Sequence, residues 1–184
     1  MDRLPGARIL QINLGHCRAA QDLMYQMLRE KRADAVIVSE PWKASGDGWY
    51  ADATGRAAVY VPPGGKRVTS SCTDTGRGWV WIEIGTVKIY SCYFSPSSTM
   101  QQYKDDIADL ESELRGATGP LIVAGDFNAK AADWGSSITD ARGTVLSLTA
   151  SSLRLHVANQ GRELTFRRGA GGSIIDVTLI SEGL

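Results

Sequence analysis

Five polar residues close or directly follow apolar runs: Asn13 after ARILQI, Glu40 after AVIVS, Tyr93 at the end of VKIYSCY, and Asp126 and Asn128 after LIVAG. If those runs are strands, their ends gather along one rim of a sheet, and these groups can meet there. Carboxylates and amides together suit a hard, oxygen-seeking cation such as Mg²⁺. Such an ion polarises a phosphate and steadies the charge that develops on it. Only two histidines, His16 and His156, are available for imidazole chemistry. Singly, each pattern also describes an ordinary turn or loop start. Their joint order is what carries information.

The elements that must position these residues are readable from periodicity. Ala7 to Asn13 alternates as a strand does. From Cys17 to Arg32, Ala20, Leu23, Met24, Met27 and Leu28 fall at helical spacing. Ala35 to Ser39 is a short apolar strand, and residues 44–55 read as loop. Strands are expected at 57–61, 66–71, 79–84 and 87–94. The spacers Pro62-Pro63-Gly64-Gly65 and Gly85-Thr86 both look like hairpin turns. Met100, Tyr103, Ile107, Leu110 and Leu114 predict a second amphipathic helix, capped by Ser98 or Thr99 and ended by 116–120. Residues 121–124 form a buried strand, 141–152 a weaker helix and 173–180 the last strand. Trp79 and Trp81 read as packing residues; Trp42 and Trp134 read as props for the polar segments beside them. This mixture argues for α/β layers around sheets rather than a regular doubly wound fold.

Composition narrows the class. The chain has 184 residues, 43% of them hydrophobic and 22% charged, which suits one globular domain spanning 1–184. Lys+Arg and Asp+Glu number 20 each. Bulk charge therefore cannot hold nucleic acid, and any such contact must come from a local patch. No run approaches the ~20 apolar residues of a membrane span, so no membrane partner is expected. Residues 1–6 lack the apolar run of a signal peptide. Cys17, Cys72 and Cys92 are odd in number and widely spaced, which reads as a reducing compartment.

QIN with Asn13, SEPW with Glu40, YFSP with Tyr93, GDFNAKAADWGS with Asp126, Asn128 and Trp134, and SIIDVTL with Asp176 occur in that order. Together they resemble the exonuclease–endonuclease–phosphatase superfamily, which includes abasic-site endonucleases, DNase I and inositol polyphosphate phosphatases. GDFNAK followed by Trp134-Gly135-Ser136 resembles the endonuclease domain of non-LTR (LINE-type) retrotransposons, especially the arthropod clade that inserts at specific genomic repeats. The resemblance runs from Ile9 to Leu179. It implies a DNase I-like, four-layer α/β sandwich of two packed mixed sheets with outer helices. It implies a Mg²⁺-dependent endonuclease, with Mn²⁺ as the alternative ion. The enzyme would cut one strand of duplex DNA and leave a 3′-hydroxyl that primes reverse transcription.

Roles follow from the same resemblance. Glu40 would bind the metal, and Asn13 would help hold the metal and phosphate network. Asp126 would orient or deprotonate the attacking water, and Asn128 and Tyr93 would contact the scissile phosphate. Thr165, in LTF, would be a second phosphate contact. Asp176 would orient a catalytic histidine. The family closes on a Ser-Asp-His motif. This sequence stops at Ser181-Glu182-Gly183-Leu184, so a last strand is expected to be missing. Residues 161–172 read as a hairpin with a basic tip, whose Arg167 and Arg168 would lie over DNA beside the cut. Ser95 and Lys130 are further candidate DNA contacts, whereas Arg56, Lys66 and Arg67 read as surface charges. The implied partners are duplex DNA and the rest of a polyprotein that includes a reverse transcriptase. The site of action would be nuclear, after synthesis in the cytoplasm. Two alternatives stand beside this reading: an inert DNA-binding fragment, and a phosphatase of the same fold.

Overall fold

The computed structural model describes residues 7–73, 77–169 and 171–184; residues 1–6 fall outside it. In chain order the elements are β1 (Ile9–Asn13), α1 (Arg18–Lys31), β2 (Ala35–Ser39), β3 (Trp49–Ala51), β4 (Ala57–Tyr60), β5 (Val68–Cys72), β6 (Trp79–Ile84) and β7 (Val87–Tyr93). Then follow α2 (Met100–Gly116), β8 (Leu121–Asp126), a 3₁₀ turn (Ala132–Trp134), α3 (Ala141–Ser152), β9 (Leu155–Val157), β10 (Phe166–Arg168), β11 (Gly171–Ser173) and β12 (Asp176–Ser181). The chain divides into two compact units, Met1–Tyr93 with Val123–Gly125, and Phe94–Ile122 with Asp126–Leu184.

In the first unit, a four-stranded sheet runs β1-β2-β4-β3. β1 and β2 are parallel, and their last residues, Asn13 and Ser39, are paired. β4 runs antiparallel to both β2 and β3, so the sheet is mixed. α1 covers one face: Met24 and Leu28 pack with Leu14, Val36, Val38 and Ala58. The other face packs on β6 and β7. There Ser39 Oγ donates to the Cys92 carbonyl and Ser91 Oγ to the Val38 carbonyl, both at 3.4 Å. β2 is therefore covered on both faces, which is why all five of its residues are buried. β5, β6 and β7 continue in that order to the Val123–Gly125 part of β8.

In the second unit, the strand order is β8-β12-β9, and β10 and β11 form a separate hairpin. α2 buries Tyr103, Ile107, Leu110 and Leu114, the stripe its spacing predicts. Its start is a capping box, with Thr99 Oγ accepting from Gln102 N and the Gln102 side chain accepting from Thr99 N. α2 packs on α3, and α3 on β9. The two large sheets and three helices of the described residues make a mixed α/β fold.

Several sequence expectations change. The loop expected at 44–55 contains β3, whose Trp49 meets Tyr60 at 5.0 Å and Tyr25 at 6.4 Å between ring centroids. The segment at 62–65 is not a hairpin turn: β4 pairs with β2 and β3, whereas β5 pairs with β6. A Pro-Gly cluster reverses the chain without dictating which sheet the next strand joins. The strand expected at 173–180 breaks, because Ile174 and Ile175 are both buried and part β11 from β12. Gly85-Thr86 is a true hairpin, with Ile84 paired to Val87.

Candidate active site

Asn13 and Glu40 stand at the shared end of β1 and β2. Past the Asn13–Ser39 pair, Leu14 N donates to Ser39 O at 2.9 Å and His16 N donates to Glu40 O at 2.8 Å. Asn13 Oδ1 accepts from Gly15 N at 2.8 Å, an Asx turn that ends the strand. Glu40 has φ 49°, a left-handed backbone that a Glu rarely adopts. Such a conformation costs about 1–2 kcal/mol and persists only where neighbours over-determine it. Here Glu40 N donates to Arg56 O at 2.7 Å, and the Tyr93 hydroxyl donates to Glu40 Oε1 at 2.7 Å. His16 Nε2 lies 3.6 Å from the same Oε1, while its Nδ1 is 3.0 Å from Pro41 O. Glu40 Oε2 has no hydrogen-bond partner among the described residues.

Arg56 owes its place to a turn built on Asp52. Asp52 is buried, and its Oδ1 accepts from Arg56 N at 3.0 Å and Ala57 N at 3.1 Å. Its Oδ2 accepts from Thr54 Oγ1 at 2.7 Å. The Arg56 side chain is exposed, as a surface charge would be, and lies 5.9 Å from the Tyr93 ring centroid. The readable signal was Asp-x-Thr-Gly, an Asx-turn composition. Trp42 is 49% exposed, and Arg18 lies 5.2 Å from its ring centroid.

The second unit assembles its own cluster. Asp126 is buried at the end of β8, and its carbonyl accepts from Phe94 N at 3.0 Å. Asn128, at φ 46°, donates its backbone N–H to Asp126 Oδ1 and its side-chain amide to Phe94 O, each at 3.0 Å. Asn tolerates this backbone better than most residues. Lys130 leads into a loop fixed from α3, for Asp140 Oδ1 accepts from Lys130 N at 3.2 Å and from Gly143 N at 2.7 Å. A Cβ on Gly143 would meet Lys130 O at 1.8 Å, so only glycine fits. Trp134 is buried and donates to Ala129 O at 3.2 Å, propping the loop as expected.

Ser95 lies in a turn that Arg142 clamps. The Arg142 guanidinium donates to the carbonyls of Ser95 at 3.0 Å and Ser98 at 2.6 Å while lying 4.7 Å from the Tyr103 ring centroid. No sequence pattern pointed to that arginine. Thr165 Oγ1 accepts from Ile175 N at 3.1 Å and Asp176 N at 3.2 Å, bringing Thr165 to the start of β12 beside Asp176. Arg167 is exposed in the β10–β11 hairpin, where Arg167 pairs with Gly172 and Arg168 with Gly171. The Arg168 side chain and Ala170 lie outside the described residues. His156 is exposed in β9.

The donor chemistry fits a hydrated hard cation at Glu40. Mg²⁺ keeps several waters and takes one or two carboxylates, and a partly exposed carboxylate with one unengaged oxygen meets that demand. No group of three His, Cys, Asp or Glu that could hold a metal occurs among the described residues. Most coordination positions would therefore fall to water and substrate. All three cysteines are free, and no described helix is long and apolar enough to cross a membrane.

Two large mixed sheets with three helices match the DNase I-like, exonuclease–endonuclease–phosphatase fold. Residues 87–184 match the model of the family described as endonuclease-reverse transcriptase, and the chain belongs to that family. Among solved structures, it is similar to the endonuclease domain of TRAS1, a telomere-specific non-LTR retrotransposon. Identity there is 29%, the TM-score is 0.78, and the match covers 96% of this chain and 85% of that one. It shares its fold with an AP endonuclease from Archaeoglobus fulgidus (11% identity, 96% and 87% coverage, TM-score 0.74). The same holds for the 3′ phosphatase NExo from Neisseria (14% identity, 96% and 87% coverage, TM-score 0.72). No curated protein matches the chain.

Proposed function

We propose that this domain is a divalent-metal-dependent DNA endonuclease of a retrotransposon polyprotein, cutting one strand of duplex DNA to leave a 3′-hydroxyl primer. The observation that carries the reading is the Asp126–Asn128 loop. It holds a buried carboxylate and a left-handed asparagine beside each other at a strand end. Asp126 takes a proton from the attacking water. The water oxygen bonds to phosphorus, the bond to the 3′ oxygen breaks, and that oxygen leaves with a proton. Asn128 spends one amide N–H on Phe94 O and has a second to give to a non-bridging oxygen. Thr165 accepts two backbone N–H groups and still has its own O–H to donate. Tyr93 gives its single proton to Glu40 and so positions that carboxylate. Glu40 and Asn13 would hold Mg²⁺ or Mn²⁺, which supplies charge stabilisation to the leaving oxygen. Arg167, Arg168, Ser95 and Lys130 are the proposed DNA contacts, Asp176 orients a proton-transfer partner, and the work is done in the nucleus.

The test is nicking of supercoiled plasmid at low salt with Mg²⁺, beside EDTA and Asp126→Ala. Open circles that need metal and vanish in the variant are the expected result. A folded chain that shifts DNA without cutting it refutes the reading in favour of a binding module. Phosphate release from small phosphomonoesters without nicking would instead make it a phosphatase.

A further inference from the structure

Two arginines of the first unit lie against aromatic rings on segments tied to Glu40. Arg18 lies over Trp42, two residues beyond Glu40, and Arg56 lies over Tyr93, which hydrogen-bonds Glu40. Both arginines are exposed. Neither guanidinium hydrogen-bonds or ion-pairs with a described residue. Stacking restrains a guanidinium plane while leaving its N–H donors unspent, so less entropy is lost when they bind an oxyanion.

Two further features separate these residues from ordinary solvated arginines. Arg18 opens α1, whose first turn holds no acidic residue. A cation there opposes the helix dipole, so the local charge is unbalanced until an anion arrives. Arg56 sits on a backbone pinned by the buried Asp52, and its carbonyl holds Glu40 N.

We propose that the Arg18–Trp42 and Arg56–Tyr93 pairs are two grips on the phosphate backbone of a DNA strand, serving the segment that carries Glu40. The proposal rests on the nuclease reading for its ligand. It adds a first-unit binding surface to contacts otherwise assigned to the second.

The experiment is fluorescence anisotropy of the whole chain on a labelled duplex oligonucleotide, in EDTA, from 50 to 200 mM salt. Each phosphate contact contributes about 0.9 to the slope of log K against log salt. Arg18→Ala and Arg56→Ala should each flatten the slope by about 0.9, and the double variant by about 1.8. Arg18→Lys and Arg56→Lys keep the charge and should keep the slope. Trp42→Ala should weaken binding and Trp42→Phe restore it. Unchanged slopes in both alanine variants overturn the proposal, as does a wild-type chain that binds no duplex. Plasmid nicking separates the two ideas. Flattened slopes without nicking in the wild type uphold the grips and sink the endonuclease; nicking with unchanged slopes does the reverse.

Discussion

Tyr93→Phe removes one oxygen and keeps the ring. The lost hydroxyl donates to Glu40 Oε1 at 2.7 Å, and the residue is 7% exposed, so the ring stays packed while that bond is removed. A bond to a charged group contributes roughly 1.5–3 kcal/mol. The Glu40 side chain is 23% exposed, so water replaces part of what is lost. The expected cost is therefore about 1–2 kcal/mol. For a chain of this size that is a fall in Tm of roughly 2–8 °C. Melting curves for wild type, Tyr93→Phe, Glu40→Gln and the double variant should show coupling of about 1 kcal/mol. Glu40→Asn carries a further expectation. Asparagine accepts the left-handed backbone that glutamate resists, so this variant should melt above Glu40→Gln. Additivity of the two single changes to within about 0.3 kcal/mol would refute the inferred bond.

Three other perturbations test different parts of the fold. Gly125 has φ 149°, and a Cβ there would lie 1.9 Å from Cys92 O, a backbone atom with no rotamer to yield. Gly125→Ala should cost about 2–4 kcal/mol in urea unfolding, and a loss under about 0.5 kcal/mol would show that the strands part easily. Cys17 is exposed, whereas burial pushes the Cys92 thiol well up. A thiol reagent at pH 8 should lose its fast phase in Cys17→Ser and be indifferent to Cys92→Ser; a fast phase that survives Cys17→Ser contradicts this. The Ser152 hydroxyl, and after it Arg115, hold the Glu111 carboxyl below its ordinary range. A depressed folded-state pKa stabilises above the unfolded value and is lost as pH falls through the folded one. Glu111→Gln should be less stable than wild type by about 0.5 kcal/mol at pH 7, the gap closing below about pH 4. An equal gap at pH 3 and pH 7 would show that the carboxylate does not contribute.

Where an element is specified by its own residues, the sequence defined it. β2, β6 and α3 have the expected bounds, and α2 begins at its capping Thr99. Each is set by a local apolar pattern or a local side-chain bond. β3 was hidden because three residues carry no period. It is held by pairing Trp49 with Tyr60 and by rings drawn from α1 and β4. The partnership of β5 with β6 was equally invisible, since the turn at 62–65 constrains direction and not destination.

The site divides along the same line. The placement of Glu40, Tyr93, Asp126 and Asn128 at or just past strand ends was legible, because a polar residue closing an apolar run is a local event. Arg56 and Arg142 were not, because each acts on a residue far away in the chain: Arg56 through its carbonyl on Glu40 N, Arg142 through carbonyls of the 95–98 turn. The backbone of Glu40 shows why such helpers must exist. An Asn128 at positive φ is nearly self-explanatory, since asparagine accepts it. A Glu at φ 49° is not, and its conformation has to be over-determined from outside. Its N–H, its C=O and its carboxylate are each held, by Arg56, His16 and Tyr93 in turn. Three separate segments thus converge to hold one strained carboxylate. The proposed role of Glu40 in holding a metal calls for a carboxylate in such a fixed orientation.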